Sequence, residues 1–258
     1  MSILTVKNLN KTFGGLKAIQ DVNLELRKNE LVGLIGPNGA GKTTLFNLLT
    51  GVYRPTTGDV LYEDEGTTVS LVKKTTSQIA DMGVTRTFQN IRLFKELTVL
   101  DNVLVGLHKS SKAGLLASII RVPSYFRSED ELKEEALRLL TLFNLEGEKD
   151  TLASNLSYGE QRRLEIVRAL ATRPTILFLD EPAAGMNPLE SAELRLLIQR
   201  IQKEFELTIV LIEHDMSVVM NVCERIVVLN YGKVLAQGTP KEISENKEVI
   251  QAYLGGEV

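Results

Sequence analysis

Residues 19–26, IQDVNLEL, set Ile19, Val22, Leu24 and Leu26 against Asp21, Asn23 and Glu25, a mostly alternating pattern that predicts a strand with one covered face. MSILTVKNLNKTF (1–13) alternates in the same way. LVGLI (31–35) and TILFLD (175–180) are instead continuous apolar runs, as expected of strands covered on both faces of a parallel sheet, and TIVLIEH (208–214) reads as a third. RIVVLNYGKVLAQG (225–238) predicts two strands about an Asn-Tyr-Gly turn. NPLE (187–190) supplies an Asn cap, Pro in the first turn and Glu three positions after the cap, and Leu194, Leu197, Ile198, Ile201 and Phe205 then recur at helical spacing. TPKE (239–242) opens a closing helix by the same logic. Between about 90 and 171 the strand signal fades. There SEDELKEEALRLLTLF (128–143) predicts a helix opened by a capping box from Ser128 to Glu131, so the segment reads as a helical insertion into an α/β core. HKSSKAGLLASIIRVPSYFR (108–127) carries Lys109, Lys112, Arg121 and Arg127 with no acid and reads as a solvated connector, with contact to a membrane-side partner as the second reading.

With 258 residues and 43% apolar content the chain can bury one large core or two modest lobes. Thirty Lys and Arg against 33 Asp and Glu leave a net charge of −3, which gives no global case for a nucleic-acid surface. The single cysteine, Cys223, excludes an intramolecular disulfide and reads as a small buried hydrophobe. The opening stretch lacks the basic and long apolar regions of a secretory leader, and no apolar run approaches the roughly 20 residues of a membrane span. Service to a membrane would therefore pass through a partner.

The chemistry concentrates at strand ends. GPNGAGKTT (36–44) follows a buried strand, precedes the apolar helix LFNLLT (45–50) and satisfies G-x-x-x-x-G-K-[ST] in the context that this phosphate loop requires. Gly36, Gly39 and Gly41 let the loop Gly36-Pro37-Asn38-Gly39-Ala40-Gly41 curl its N–H groups around phosphate oxygens. Lys42 suits the β and γ phosphates, Thr43 a Mg²⁺ ion and Thr44 the α phosphate. Asp180 and Glu181 close a buried strand at the sheet edge where parallel sheets hold ligands: Asp180 suits the Mg²⁺ shell, and Glu181 can polarise a water in line with the γ phosphate. His214 ends another buried strand and reads as a γ-phosphate contact or as packing. Gln89, in VTRTFQN (84–90), stands where a strand-like run meets the helical segment and could coordinate Mg²⁺ or the attacking water. Phe13, from its residues alone, reads as core with adenine stacking as the other option, and His108 carries no role. LSYGEQRR (156–163) opens a helix with Ser157 and Gly159 placed to meet an anion.

GPNGAGKTT, TFQ, LSYGEQRR, ILFLDEP and IEHD, in this order, resemble the ATP-binding cassette (ABC) ATPases along nearly the whole chain. The resemblance implies an α/β P-loop NTPase core with a mostly parallel sheet, an antiparallel β subdomain and an inserted helical subdomain. The expected divisions are 1–89 for the β subdomain and phosphate-loop part, 90–171 for the helical insertion with the signature, and 172–258 for the rest of the core and a helical tail. It implies two cassettes closing head to tail, so that Ser157 and Gly159 of one cap the γ phosphate held by the other. It also assigns adenine stacking to Phe13, Mg²⁺ and transmission to Gln89, the general base to Glu181 and a phosphate switch to His214. The cofactors implied are ATP and Mg²⁺. The partners implied are a second cassette, identical or related, transmembrane permease subunits and, indirectly, a solute-binding protein, with no nucleic acid. The location implied is cytoplasmic, on the inner face of the membrane through the permease. Tyr158 and Glu160 depart from the common Leu-Ser-Gly-Gly-Gln, and AGMN (184–187) departs from Ser-Ala-Leu-Asp. With RTFQN and the insertion after VLVGLH these variants are similar to the cassettes of branched-chain amino acid importers; urea or amide import and lipid export are the alternatives. Permease docking is expected near NIRLFKELTVL (90–100), where Leu93, Phe94 and Leu97 line a groove or pack the helical lobe. A soluble ABC protein acting on DNA or ribosomes is a rival that would bring long coiled-coil insertions or a second cassette, and a P-loop kinase is one that would bring an acceptor-substrate pocket but not the Ser157 signature.

Overall fold

The structure, a computed structural model, describes residues 1–64, 66–110, 123–213 and 216–254. Their contacts gather into two compact units, one drawn from Met1–Arg86, Thr175–Pro182 and Arg195–Val258, the other from Thr87–Pro174 and Ala183–Leu194.

The first unit holds two sheets. Strands β1 (Ser2–Phe13), β2 (Leu16–Arg27), β4 (Thr57–Asp64) and β5 (Thr67–Ser70) form an antiparallel sheet in the order β2-β1-β4-β5. The alternation in 19–26 is realised as burial of Ile19, Val22, Leu24 and Leu26. In β1 the consecutive pair Ile3 and Leu4 is buried, because a register shift between Ser2 and Leu4 breaks the strict period of two. The second sheet runs β10-β9-β3-β8-β7-β6, with β3 (Leu31–Ile35), β6 (Val84–Arg86), β7 (Ile176–Asp180), β8 (Thr208–Ile212), β9 (Arg225–Asn230) and β10 (Lys233–Gly238). Every pairing in it is parallel except the hairpin β9–β10. Its turn takes positive φ at both Tyr231 (45°) and Gly232 (76°), as a two-residue hairpin of this twist demands. β3, β7 and β8 are buried at every position, which is why they read as unbroken apolar runs.

Helix α1 (Lys42–Leu49) contributes Leu45, Phe46, Leu48 and Leu49 to one hydrophobic cluster shared by both sheets. At its centre Phe46 meets Phe178 edge to face, ring centroids 5.0 Å apart. Each such fully buried side chain contributes about 1.5–3 kcal/mol. Gly51, with φ 72°, follows the C-cap Thr50 and stops the helix. Helix α2 (Thr76–Asp81) was not expected from periodicity; a capping box between Thr75 and Gln78 opens it. Cys223 is buried, and burial, with Glu213 and Glu224 nearby, pushes its thiol up to about 12, so it behaves as a hydrophobe.

The second unit packs α3 (Val99–Ser110), α4 (Pro123–Leu142) and α5 (Tyr158–Ala171) against one another. The expected start of α4 at Ser128 is corrected: the helix begins at Pro123, where proline suits the first turn, and Ser128 lies inside it. The connector read over 108–127 is corrected at both ends, since 108–110 belong to α3 and 123–127 to α4; residues 111–122 between them lie outside the described residues. Helix α6 (Pro188–Glu204) starts as read: Asn187 Oδ1 accepts from Glu190 N at 2.9 Å and Glu190 Oε2 accepts from Asn187 N at 2.9 Å. Helices α7 (Met216–Val222), α8 (Pro240–Ser244) and α9 (Lys247–Leu254) complete the chain, α8 with the Thr239–Glu242 capping box. No helix among the described residues is long and apolar enough to cross a membrane.

Candidate active site

The loop from Gly36 to Gly41 joins β3 to α1 and is braced from outside. Gly232 N donates to Ala40 O at 2.9 Å, and Gln20 N donates to Gly232 O at 2.8 Å, so the β9–β10 turn fixes the loop to β2. Gly36 has φ 153°, and a Cβ there would stand 2.1 Å from Leu229 O; one on Gly41, at φ 103°, would stand 2.7 Å from Ala18 O. Both close approaches are to backbone, so no side chain can move aside. A residue that forces backbone shifts costs about 1–3 kcal/mol, and Gly36→Ala is expected to weaken ATP binding roughly ten- to a hundred-fold, read by titration with a fluorescent ATP analogue. Unchanged affinity would separate the loop from the nucleotide.

Lys42, only 7% exposed, donates from Nζ to Gly36 O at 2.7 Å and to Pro37 O at 3.0 Å. Burial holds its ammonium below the ordinary lysine range, and the negative charge of Glu181 acts in the opposite sense. The lysine is thus kept at the loop and satisfied by carbonyls that a phosphate would replace. Asn38, Gly39 and Thr43 are exposed, Pro37, Gly41 and Thr44 half-buried, and Ala40 buried. The α1 N-cap, Gly41, has no side chain to cap the first N–H groups of α1, which leaves them as candidate donors to an anion.

Asp180 ends β7 and is buried; its Oδ2 lies 3.3 Å from Arg86 Nη2. Glu181 turns out of the strand with φ 48°, left-handed backbone that a non-glycine residue adopts at a cost of about 1–3 kcal/mol. Its N–H donates to Ile212 O at 2.9 Å, so β8 holds the turn. Phe13 corrects the core reading: it is 41% exposed, meets Tyr53 edge to face at 5.4 Å and has Lys11 Nζ 4.8 Å from its ring centre. It pairs with Leu16 at the very tip of the β1–β2 hairpin. His214 lies outside the described residues. Two residues of this neighbourhood escaped the sequence reading. Arg86 is one. The other is Tyr253 on α9, whose hydroxyl is pushed up chiefly by burial, with the backbone of Gly36 acting in the opposite sense.

Gln89, Ser157 and Gly159 belong to the second unit. Ser157 is the N-cap of α5: its Oγ accepts from Glu160 N at 3.3 Å, and Glu160 Oε2 accepts from Ser157 N at 2.9 Å. The Glu160 departure therefore completes a capping box, and hydrogen bonds from Ser157 hold its carboxyl below the usual range. A Cβ on Gly159 would press the Glu190 carboxylate at 3.1 Å. In AGMN, Gly185 has Tyr158 over it, with Cε1 3.0 Å from where a Cβ would be, so the two departures accompany each other. Gln89 is held by its backbone, its O accepting from Arg162 Nη2 at 2.8 Å. Phe94 is 49% exposed with the Arg168 guanidinium 5.2 Å from its ring centre, while Leu93 and Leu97 are half-buried.

The sequence pattern described as ABC transporter matches residues 19–184, and that of the branched-chain amino acid ATP-binding cassette transporter matches residues 233–258. The chain is 50% identical over 253 residues to the high-affinity branched-chain amino acid transport ATP-binding protein LivG of Escherichia coli (strain K12), covering 98% of each. It is 34% identical over 255 residues to the lipopolysaccharide export system ATP-binding protein LptB of Haemophilus influenzae, covering 99% of this chain and 98% of that protein. Among solved structures it is similar to the ADP conformation of an ATP-binding cassette of an ABC transporter, with a TM-score of 0.83, 31% identity and 99% of each chain covered. A dimeric bacterial ABC transporter cassette matches with a TM-score of 0.77 and 26% identity over 92% of this chain and 99% of the other.

Proposed function

This chain belongs to the ABC transporter family as an ATP-binding, ATP-hydrolysing subunit, and we propose that it powers import of branched-chain amino acids through separate permease subunits. The observation that carries the solute class is the half-identity to LivG over nearly the whole length of both chains, joined by the branched-chain pattern at 233–258. Lipid export, the business of LptB, stands at a markedly lower identity.

In the mechanism, the N–H groups of Gly36–Gly41 and α1 and the Lys42 ammonium bind the triphosphate, replacing the loop carbonyls that now satisfy Nζ. Phe13 offers its exposed face to the adenine. Thr43 and Asp180 form an all-oxygen donor set that suits a hard cation holding phosphates, while no group of three His, Cys, Asp or Glu able to hold a metal exists among the described residues. Thr43 and Asp180 would hold Mg²⁺, which would supply neutralisation of the phosphate charge. Glu181 takes a proton from the attacking water. Gln89 and His214 keep the roles that the resemblance implies, metal contact with transmission and γ-phosphate switch. Ser157 and Gly159 cap the γ phosphate of a second cassette, identical or related. Because that phosphate is gripped from both sides only when the pair is closed, ATP favours closure and ADP does not. The assembly sits at the inner face of the membrane through the permease, near Leu93, Phe94 and Leu97, and a solute-binding protein delivers the solute from the other side.

The test is co-expression with candidate permease subunits, reconstitution in vesicles and ATP-dependent uptake of labelled leucine, isoleucine and valine. Uptake of these, and not of urea, is the expected result. An assembly that hydrolyses ATP yet moves none of the three would overturn the solute class and leave the ATPase standing.

A further inference from the structure

We infer that Arg86 is a positioning residue for the magnesium–nucleotide site, fixing the Asp180 carboxylate against the helix that presents Lys42 and Thr43. Its Nη2 reaches Asp180 Oδ2 at 3.3 Å, while its Nη1 donates to Asn47 Oδ1 at 2.6 Å and to Thr50 Oγ1 at 3.1 Å. The guanidinium carbon lies 5.3 Å from the Phe46 ring centre. The Arg86 and Asp180 side chains are 10% and 4% exposed. Asn47 and Phe46 belong to α1 and Thr50 is its C-cap, whereas Asp180 ends β7, so one planar cation ties a strand end to a helix.

That tie has a chemical consequence. Thr43 sits in the first turn of α1 and Asp180 on the strand, so a cation drawing on both needs the helix and the strand end in one fixed relation. Mg²⁺ demands near-ideal geometry and tolerates little drift. The path Thr43–α1–Arg86–Asp180 supplies that relation through a group with a fixed fork of donors, which a lysine cannot reproduce. Partners that hold a metal-ligating carboxylate are themselves worth about 10–100-fold in metal affinity. The competing account is a tie that serves stability alone.

The inference rests on the magnesium reading above, and the test separates the two. Affinity for a fluorescent ATP analogue, with no turnover involved, is measured in excess Mg²⁺ and in EDTA for the native chain, R86K, R86M, D180N and R86M/D180N, each with its melting temperature. The native chain is expected to bind more tightly with Mg²⁺. R86M is expected to lose roughly tenfold of that gain with affinity in EDTA unchanged. R86K should recover only part of it, and R86M should add no further loss in the D180N background. Should R86M fail to fold, R86K carries the same comparison. Equal losses in Mg²⁺ and EDTA, or a lowered melting temperature with the Mg²⁺ gain intact, would overturn the role of Arg86 alone. A native chain that binds equally in both media would overturn the magnesium reading and this inference with it.

Discussion

Glu181→Gln is expected to lower ATP turnover about a hundredfold or more while ATP binding persists, and to accumulate an ATP-dependent dimer on gel filtration. Glutamine preserves the size of the side chain and the turn that β8 holds through Ile212 O, so the phosphate loop is not disturbed. What it removes is the ability to accept a proton from water. It also removes a negative charge close enough to Lys42 to act on its ionisation, and that charge repels a bound triphosphate. Both effects point the same way: bound ATP is retained and the closed pair persists. Phosphate release measured beside the dimer fraction checks the two together, and undiminished turnover would take Glu181 out of the mechanism.

The parts of this site that were legible in the sequence are those fixed by local rules. Continuous apolar runs identified β3, β7 and β8 because burial on both faces leaves no polar position. Capping boxes located α6 and α8, because cap and partner lie three residues apart, although the same pattern at Ser128 and Glu131 fell inside α4. The phosphate loop was legible because only glycine fits where Gly36 meets Leu229 O. Features that depend on distant neighbours were not legible. Phe13 resembles every other apolar residue of an alternating strand, and only the hairpin tip, where Leu16 is 68% exposed, sets it outside the core. Arg86 gives no local sign that it will meet Asp180, which is 94 residues away. The grouping of Ala183–Leu194 with the helical unit is likewise a matter of long-range contact that no periodicity encodes. The Tyr158 and Gly185 departures were visible singly, but their pairing needed the fold.

Arg162→Met is expected to be the most destabilising single change in the helical unit, at about 3–5 kcal/mol. Arg162 and Glu165, one turn apart on α5, are 0% and 2% exposed and meet at 2.9 Å. The arginine donates to Phe88 O at 2.7 Å and Gln89 O at 2.8 Å, and Glu165 Oε1 accepts from Phe88 N at 3.4 Å and Arg92 N at 3.3 Å. The pair thus clamps the backbone around Gln89 to the helix that Ser157 caps. It is not a saturated network, since Arg162 Nε is buried without a hydrogen-bond partner. Methionine fills much of the volume but takes the ion-pair partner from the buried Glu165, leaving it the charge of Arg168 alone to act on it, and removes the arginine's hydrogen bonds to the Phe88 and Gln89 carbonyls. Adding Glu165→Met should recover part of the loss, because an apolar pair no longer buries an isolated charge. It should not recover all of it, because the hydrogen bonds that the two side chains gave the backbone of Phe88, Gln89 and Arg92 stay lost. Urea unfolding of the two variants measures the difference, and hydrogen exchange at the Phe88 and Arg92 amides should quicken in both. If the double variant proves less stable than Arg162→Met alone, the charge left on Glu165 is not what the single change exposes, and the backbone bonds carry the whole clamp.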